Sequence, residues 1–247
     1  MEASFSKKHP YSAAISAAFL CTCMTVIGAA TSQIMGFEAG KTYLVMSGII
    51  FLSIIIGLVI MKRSRISIRE YGFRKPDTKS ARNVWYYVPL FLVEGISFFG
   101  DETAYKEGVS VYLTLLLFCI MVGFHEEIYF RGLVFGFLGE KGKKIAILVS
   151  SSIFGVLHLA NALGGQNIQY TCLQIGFAFL VGIVLAELVS ITKSLWMVII
   201  WHSLHDFIAS SSSDVIDTKE LIVSFIQILI FLIYAIVLWK KSTTIVD

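Results

Sequence analysis

The sequence predicts an all-α, polytopic integral membrane protein of about eight transmembrane helices, with both termini in the cytoplasm. Three observations carry that prediction. Of 247 residues, 56% are hydrophobic and only 15% are charged, against roughly 25% charged in an ordinary soluble domain. The apolar residues run continuously for about twenty positions, the length a helix needs to cross a bilayer; an outer-membrane barrel would show alternating segments of about ten. The 20 Lys and Arg residues are also distributed very unevenly between the connecting segments. The same composition excludes other classes. Nineteen Phe, 10 Tyr and 4 Trp need burial, so the chain is not disordered. A net charge of +3, scattered among the spans, gives no nucleic-acid footprint.

Taken in order, the apolar stretches are Tyr11–Ile34, Thr42–Met61, Val84–Phe99, Val109–Leu138, Ile145–Leu163, Gln169–Val189, Ser194–Ala209 and Leu221–Trp239. The first follows Lys7 and Lys8 and contains Gly28-Ala29-Ala30, features shared with a signal peptide, but a retained helix fits the topology better. The third and seventh are short and are expected beside other helices rather than in open lipid. The fourth is long because its apolar half continues into a polar, motif-bearing half. No internal repeat or long linker divides the chain, so residues 1–247 form one membrane-embedded domain. Cys21, Cys23, Cys119 and Cys172 all lie inside apolar runs and read as small core residues rather than as a disulfide framework.

With a cytoplasmic N-terminus, the inside segments hold Lys7, Lys8, Lys62, Arg63, Arg65, Arg69, Arg74, Lys75, Lys79, Arg82, Lys141, Lys143, Lys144, Lys193, Lys240 and Lys241. The outside segments hold only Lys41, Lys106 and Lys219, and Arg131 lies within a helix. The positive-inside rule therefore places both termini in the cytoplasm, which requires an even number of spans. The loop from Lys62 to Arg82 is the most basic segment, with only Glu70 and Asp77 to offset it. Setting topology accounts for it, and anionic headgroups or an acidic peptide tail are further candidate ligands.

Ionisable side chains at bilayer depth cost about 2.5–3.5 kcal/mol each on insertion scales and mark functional sites. This chain places Glu94, His125, Glu126, Glu127, Arg131, His158, Glu187, His202, His205 and Asp206 there, including four of its five histidines. On the fourth helix, Glu127 and Arg131 stand four residues apart on one face and can pair. Glu126 is rotated by about 100° from Glu127, has no built-in partner, and is suited to proton transfer in the bundle interior. On the fifth, His158 follows Phe154 by one turn. On the seventh, His202 and Asp206 share a face; they could orient each other, bind a metal or donate to an oxyanion. His205 could flank the site and is expected rather to cap the aqueous cavity, Glu187 to reach solvent at the interface, and Glu94 to line the cavity or pair within the bundle.

Depth is consistent with one site. At 1.5 Å per residue, His158 lies roughly 20 Å, His202 roughly 12 Å and Glu126 roughly 18 Å from the cytoplasmic ends of their helices. Glu126, His158 and His202 can therefore meet.

These residues resemble the CPBP family of intramembrane proteases, which covers CaaX-processing endopeptidases and bacterial bacteriocin-processing or peptide-maturing relatives. The family pattern is Glu-Glu-x-x-x-Arg, then Phe-x-x-x-His, then His-x-x-x-Asn or Asp on successive core helices. Here it reads Glu126-Glu127…Arg131, Phe154…His158 and His202…Asp206, over about residues 109–209. Gly132 after the arginine and the stretch Tyr71–Arg74 ahead of the core are also usual. The resemblance implies an endopeptidase in which Glu126 is the general base and His158 helps it hold and activate water. His202 and Asp206 would bind the developing oxyanion, and Glu127 and Arg131 would brace the helix. Because an ionised Asp206 cannot donate a hydrogen bond, its expected part is to orient His202, which then donates. His158, His202 and Glu126 would suit zinc with a free position for water. His125-Glu126-x-x-Tyr129 is not a zincin signature, since Tyr129 stands in place of the second histidine, and the reading leans to metal-independent chemistry.

The expected substrate is a membrane-associated peptide or protein (a pheromone precursor, a bacteriocin-type leader or a CaaX-like tail) entering from the cytoplasmic side of a bacterial cell membrane. A non-catalytic binding or immunity protein is the alternative, against which the intact motifs argue. A proton-coupled transporter is a third, disfavoured by the lack of repeats and by Pro89 being the one proline within a span.

Overall fold

Every one of the eight apolar stretches carries a helix. The computed structural model describes residues 5–64, 66–76, 85–100, 108–211 and 218–244, the side chains of 97–100, 218–220 and 244 excepted. The helices are α1 (Pro10–Ile34), α2 (Ala39–Arg63), α3 (Val88–Gly100), α4 (Val109–Glu127), α5 (Lys143–Leu157), α6 (Ile168–Thr192), α7 (Trp196–Ser211) and α8 (Thr218–Thr244). No β-strand occurs among the described residues. Among the described residues, six helices are long and apolar enough to cross a membrane, and the described parts of α3 and α7 fall short of that length. The protein is thus an integral, multi-pass, all-helical membrane protein. Val84, Arg65, Asp77, Lys79, Arg82 and Lys106 lie outside the described residues, as does the side chain of Lys219.

Local signals account for the ends. Pro10 opens α1, where its fixed φ is pre-organised and its missing N–H would be unpaired anyway. Asn167 caps α6, its side-chain oxygen accepting from the backbone N–H groups of Gln169 and Tyr170. Beyond Glu127, α4 passes into a π-helical segment, Ile128–Val134, and then a last α-turn, Phe135–Leu138.

Helix α6 is apolar all round, a surface that suits protein or lipid neighbours alike, and its packing decides between them. Val181 through Thr192 are buried without interruption, against α5 on one side and α8 on the other. Helix α4 packs between α2 and α7, and α1 lies against α2. Two apolar clusters result. One joins α3, α6, α7 and α8 around Trp201, Phe231 and Leu185; the other joins α1, α2, α4 and α5 around Tyr129, Ile50 and Met61. Phe124 and Phe135, on either side of the acidic motif, pack against both.

The segments assigned to the cytoplasm gather at one end of the bundle. Lys7 lies 3.6 Å from Glu140 after α4, Ser194 Oγ donates to the Arg74 carbonyl at 2.7 Å, and Ser190 Oγ donates to the Ser242 carbonyl at 2.9 Å. The Tyr71–Arg74 stretch does more than carry charge, because it is seated on the start of α7. The Leu195 N–H donates to the Gly72 carbonyl at 2.9 Å. Gly72 has φ +103°, and a Cβ there would lie 2.7 Å from Leu195 Cγ, so only glycine fits. Tyr71 donates to Ser64 Oγ at 2.7 Å, and burial holds its phenol above the ordinary value, keeping it a donor. Phe73 meets the Trp196 ring edge-on at 5.7 Å.

Two expectations need correction. Glu187 does not reach solvent: it is fully buried within α6 and accepts from Ser242 Oγ at 3.3 Å, joining α6 to the end of α8. Its short side chain leaves the helix on a side that α8 covers. The four cysteines are unbonded, but only Cys21 and Cys119 are buried; Cys172 is exposed on the outer face of α6.

Candidate active site

The site begins with a close helix crossing. A Cβ on Gly123 of α4 would lie 3.0 Å from the Ile199 carbonyl oxygen of α7 and would collide with Ser203 Oγ. With glycine there, the two backbones approach closely, and one turn further along α4 Glu127 meets His202 of α7. Glu127 Oε1 accepts from Arg131 Nη1 at 2.9 Å and from His202 Nδ1 at 2.7 Å. The Glu127 and Arg131 side chains are 0% and 1% exposed. An ion pair this dry is held by its geometry and its remaining partners, and loss of one member leaves a buried charge.

The other imidazole nitrogen faces two more carboxylates. His202 Nε2 lies 3.7 Å from Glu126 Oε2 and 3.7 Å from Asp206 Oδ2. Both distances are within charge–charge range and beyond a direct hydrogen bond. The Glu126 and Asp206 side chains are 19% and 27% exposed, so the cluster is closed at Glu127 and open at Glu126 and Asp206. The pair expected from sequence, Glu127 with Arg131, is present. The orientation of His202 is not the work of Asp206, however. Glu127 holds Nδ1, and Asp206 stands beside Glu126 at Nε2. The i,i+4 spacing put Asp206 near the ring, but the rotamer set by Glu127 decides which nitrogen it faces.

His158 stands at the C-terminal cap of α5, after which the chain turns before the short helix Ala160–Leu163. Its Nδ1–H donates to the Phe154 carbonyl at 2.8 Å, which leaves Nε2 of the neutral ring as an acceptor. That hydrogen bond goes to Phe154 and not to Glu126. His158 joins the cluster through the Phe154 ring, which His202 also meets edge-on. Phe154 is the common wall. Its ring lies edge-on to His158 at 4.8 Å, to His202 at 6.1 Å and to Phe130 at 4.9 Å, with the Arg131 guanidinium 4.2 Å above its face. The motif position was legible; that one ring touches three of the site residues was not.

His125 takes no part. It is fully buried on the side of α4 facing α1 and α2, with Nε2 2.9 Å from Ser53 Oγ and Nδ1 3.7 Å from Cys21 Sγ. His205 does not cap a cavity. It pairs with Glu94 of α3, Nδ1 to Oε1 at 3.0 Å, between the stacked rings of Trp201 and Phe177. Neighbouring imidazole and carboxylate with no assigned partner in the sequence were the available signal for that pair.

Zinc on His158, His202 and Glu126 was the alternative to metal-independent chemistry in the sequence reading. As these side chains are arranged, no group of three or more His, Cys, Asp or Glu among the described residues is set to hold a metal ion.

Residues 108–208 match the model of a protein family described as type II CAAX prenyl endopeptidase, Rce1-like. That segment is less than half of the chain, yet it contains Glu126, Glu127, Arg131, Phe154, His158, His202 and Asp206, so the match and the buried cluster coincide. Over these residues the chain is similar to a family of membrane proteases. No curated protein and no solved structure matches the chain.

Proposed function

We propose that this chain, with a core of the CAAX-protease type, is an intramembrane endopeptidase that hydrolyses a peptide bond of a membrane-associated substrate by Glu126-activated water attack. The observation that carries the reading is the convergence of Glu126 and Asp206 on Nε2 of His202, an imidazole whose other nitrogen is fixed on Glu127.

Each group has one task. Glu126, at the accessible edge, accepts a proton from water as the water attacks the scissile carbonyl. His158, with Nδ1–H committed to the Phe154 carbonyl, accepts from the same water through Nε2 and so orients it. His202, carrying both protons, donates Nε2–H to the oxyanion as it forms. Glu127 aims that donor, and Arg131 holds Glu127 in place. Asp206, at the same nitrogen as Glu126, offsets the imidazolium charge. Collapse of the tetrahedral intermediate returns the proton from Glu126 to the leaving amine. Substrate reaches the site from the cytoplasmic side, and a bacterial cell membrane is the setting in which peptide precursors of this kind are matured.

The test is cleavage by the purified protein in micelles or proteoliposomes, using a fluorogenic peptide library. Glu126→Gln is expected to lower kcat by about 10²–10⁴-fold, the usual contribution of a general base, and His158→Ala to lower it as well. Unimpaired cleavage by either variant would overturn its assigned role. Activity that survives a strong chelator supports metal-independent chemistry; activity that is lost and restored by zinc alone overturns it.

A further inference from the structure

We infer that Glu94 and His205 form a positioning pair that fixes the rotation of α7, so that His202 and Asp206 are presented to Glu126. The inference rests on the protease reading above.

The geometry is specific. Glu94 and His205 meet at 3.0 Å, with side chains only 4% and 19% exposed. Trp201, one turn earlier on α7, also reaches α3, donating Nε1–H to the Leu90 carbonyl at 3.0 Å. Trp201 and His205 therefore share one face of α7, and that face is tied to α3 at two points. His202 and Asp206, each one residue further along, share the neighbouring face, rotated by about 100°. On a rigid helix, fixing the first pair fixes the second. The rings of Trp201 at 5.0 Å and Phe177 at 5.5 Å stack on His205 and favour this orientation of its imidazole.

Stability alone does not explain the pair. A buried ion pair adds little over apolar side chains of similar volume, and its best-attested use is to specify one register over others. Helix α7 needs such a device, because it is apolar over much of its surface. Apolar packing against α3 alone tolerates small rotations, whereas a hydrogen bond at 3.0 Å does not.

Two variants separate the alternatives. His205→Phe keeps the aromatic stack and removes the donor; Glu94→Gln keeps an acceptor for the His205 Nδ1–H. The first readout needs no substrate. In protein carrying ¹⁵N-labelled histidine in micelles, the Nδ1 proton of His202, hydrogen-bonded to Glu127, gives a downfield resonance, identified by its loss in His202→Gln. His205→Phe is expected to shift or broaden that resonance in protein that remains folded, with a lower unfolding temperature from the stranded Glu94 carboxylate, and Glu94→Gln to leave the resonance in place. The second readout is peptide cleavage, where His205→Phe should lower kcat by about 10- to 100-fold with KM nearly unchanged, as a misplacement of catalytic groups does. An unmoved His202 resonance in His205→Phe overturns the positioning role, and so does Glu94→Gln as impaired as His205→Phe. If no form of the protein cleaves peptide but the His202 resonance moves as expected, the pair positions α7 and the protease reading is what fails.

Discussion

Glu127 stands between structure and chemistry. One of its oxygens serves both Arg131 and His202, so two kinds of loss can be separated by substitution. Glu127→Ala should destabilise the protein by about 3–5 kcal/mol, because it strands a buried guanidinium. The double variant Glu127→Met with Arg131→Leu should recover most of that stability and none of the activity, since His202 no longer has an anchor for Nδ1. Unfolding and cleavage measured on the same preparations check both statements; recovery of activity in the double variant would count against Glu127 as the group that aims His202. The sequence made the Glu127–Arg131 pair legible, because i,i+4 spacing is a local property. It could not reveal that His202, 75 positions further along, shares the same oxygen. By the same limit, spacing suggested that Asp206 orients His202, and only the tertiary contacts show Nδ1 on Glu127 and Asp206 beside Nε2.

Two glycines set where α7 lies. Gly123 allows α7 to come close beside the acidic motif, and Gly72 allows the Tyr71–Arg74 stretch to seat the first turn of α7. Gly123→Ala should reduce kcat by up to about 10²-fold by pushing His202 away from Glu126. Adding Ser203→Gly should restore part of it, since it removes the hydroxyl that the new methyl meets while leaving the Ile199 carbonyl in place. Gly72→Ala should cost about 1–3 kcal/mol of stability through backbone strain, read as a lower unfolding temperature in micelles. The eight helices themselves were legible from runs of apolar residues, and the short third and seventh were rightly expected to lie beside others. Their partners were not legible. An apolar surface such as that of α6 is equally compatible with lipid or protein, and only the packing shows that Glu187 faces α8 while Cys172 faces outward.

For the whole molecule, the distribution of basic residues predicts both termini in the cytoplasm. The contacts of Lys7 with Glu140 and of Ser194 with Arg74 agree in placing those segments at one end of the bundle. In a background with the four cysteines replaced by serine, Lys41→Cys should react with an impermeant thiol reagent on intact cells, and Lys141→Cys only after permeabilisation. The reverse pattern would invert the topology and move the open edge of the site to the other side. The sequence by itself determined the membrane class, the places of the helices and the residue types of the site. Those follow from hydrophobic run length, charge distribution and spacing within single helices, all of which are local. Only the tertiary structure decided that Glu127 rather than Asp206 bonds Nδ1 of His202, that the Phe154 ring lies against His158, His202 and Arg131, and that Glu94 of α3 pairs with His205 of α7. Each of those depends on the distance between side chains of different helices, which is set by packing at glycine crossings and has no expression in the periodicity of any one segment.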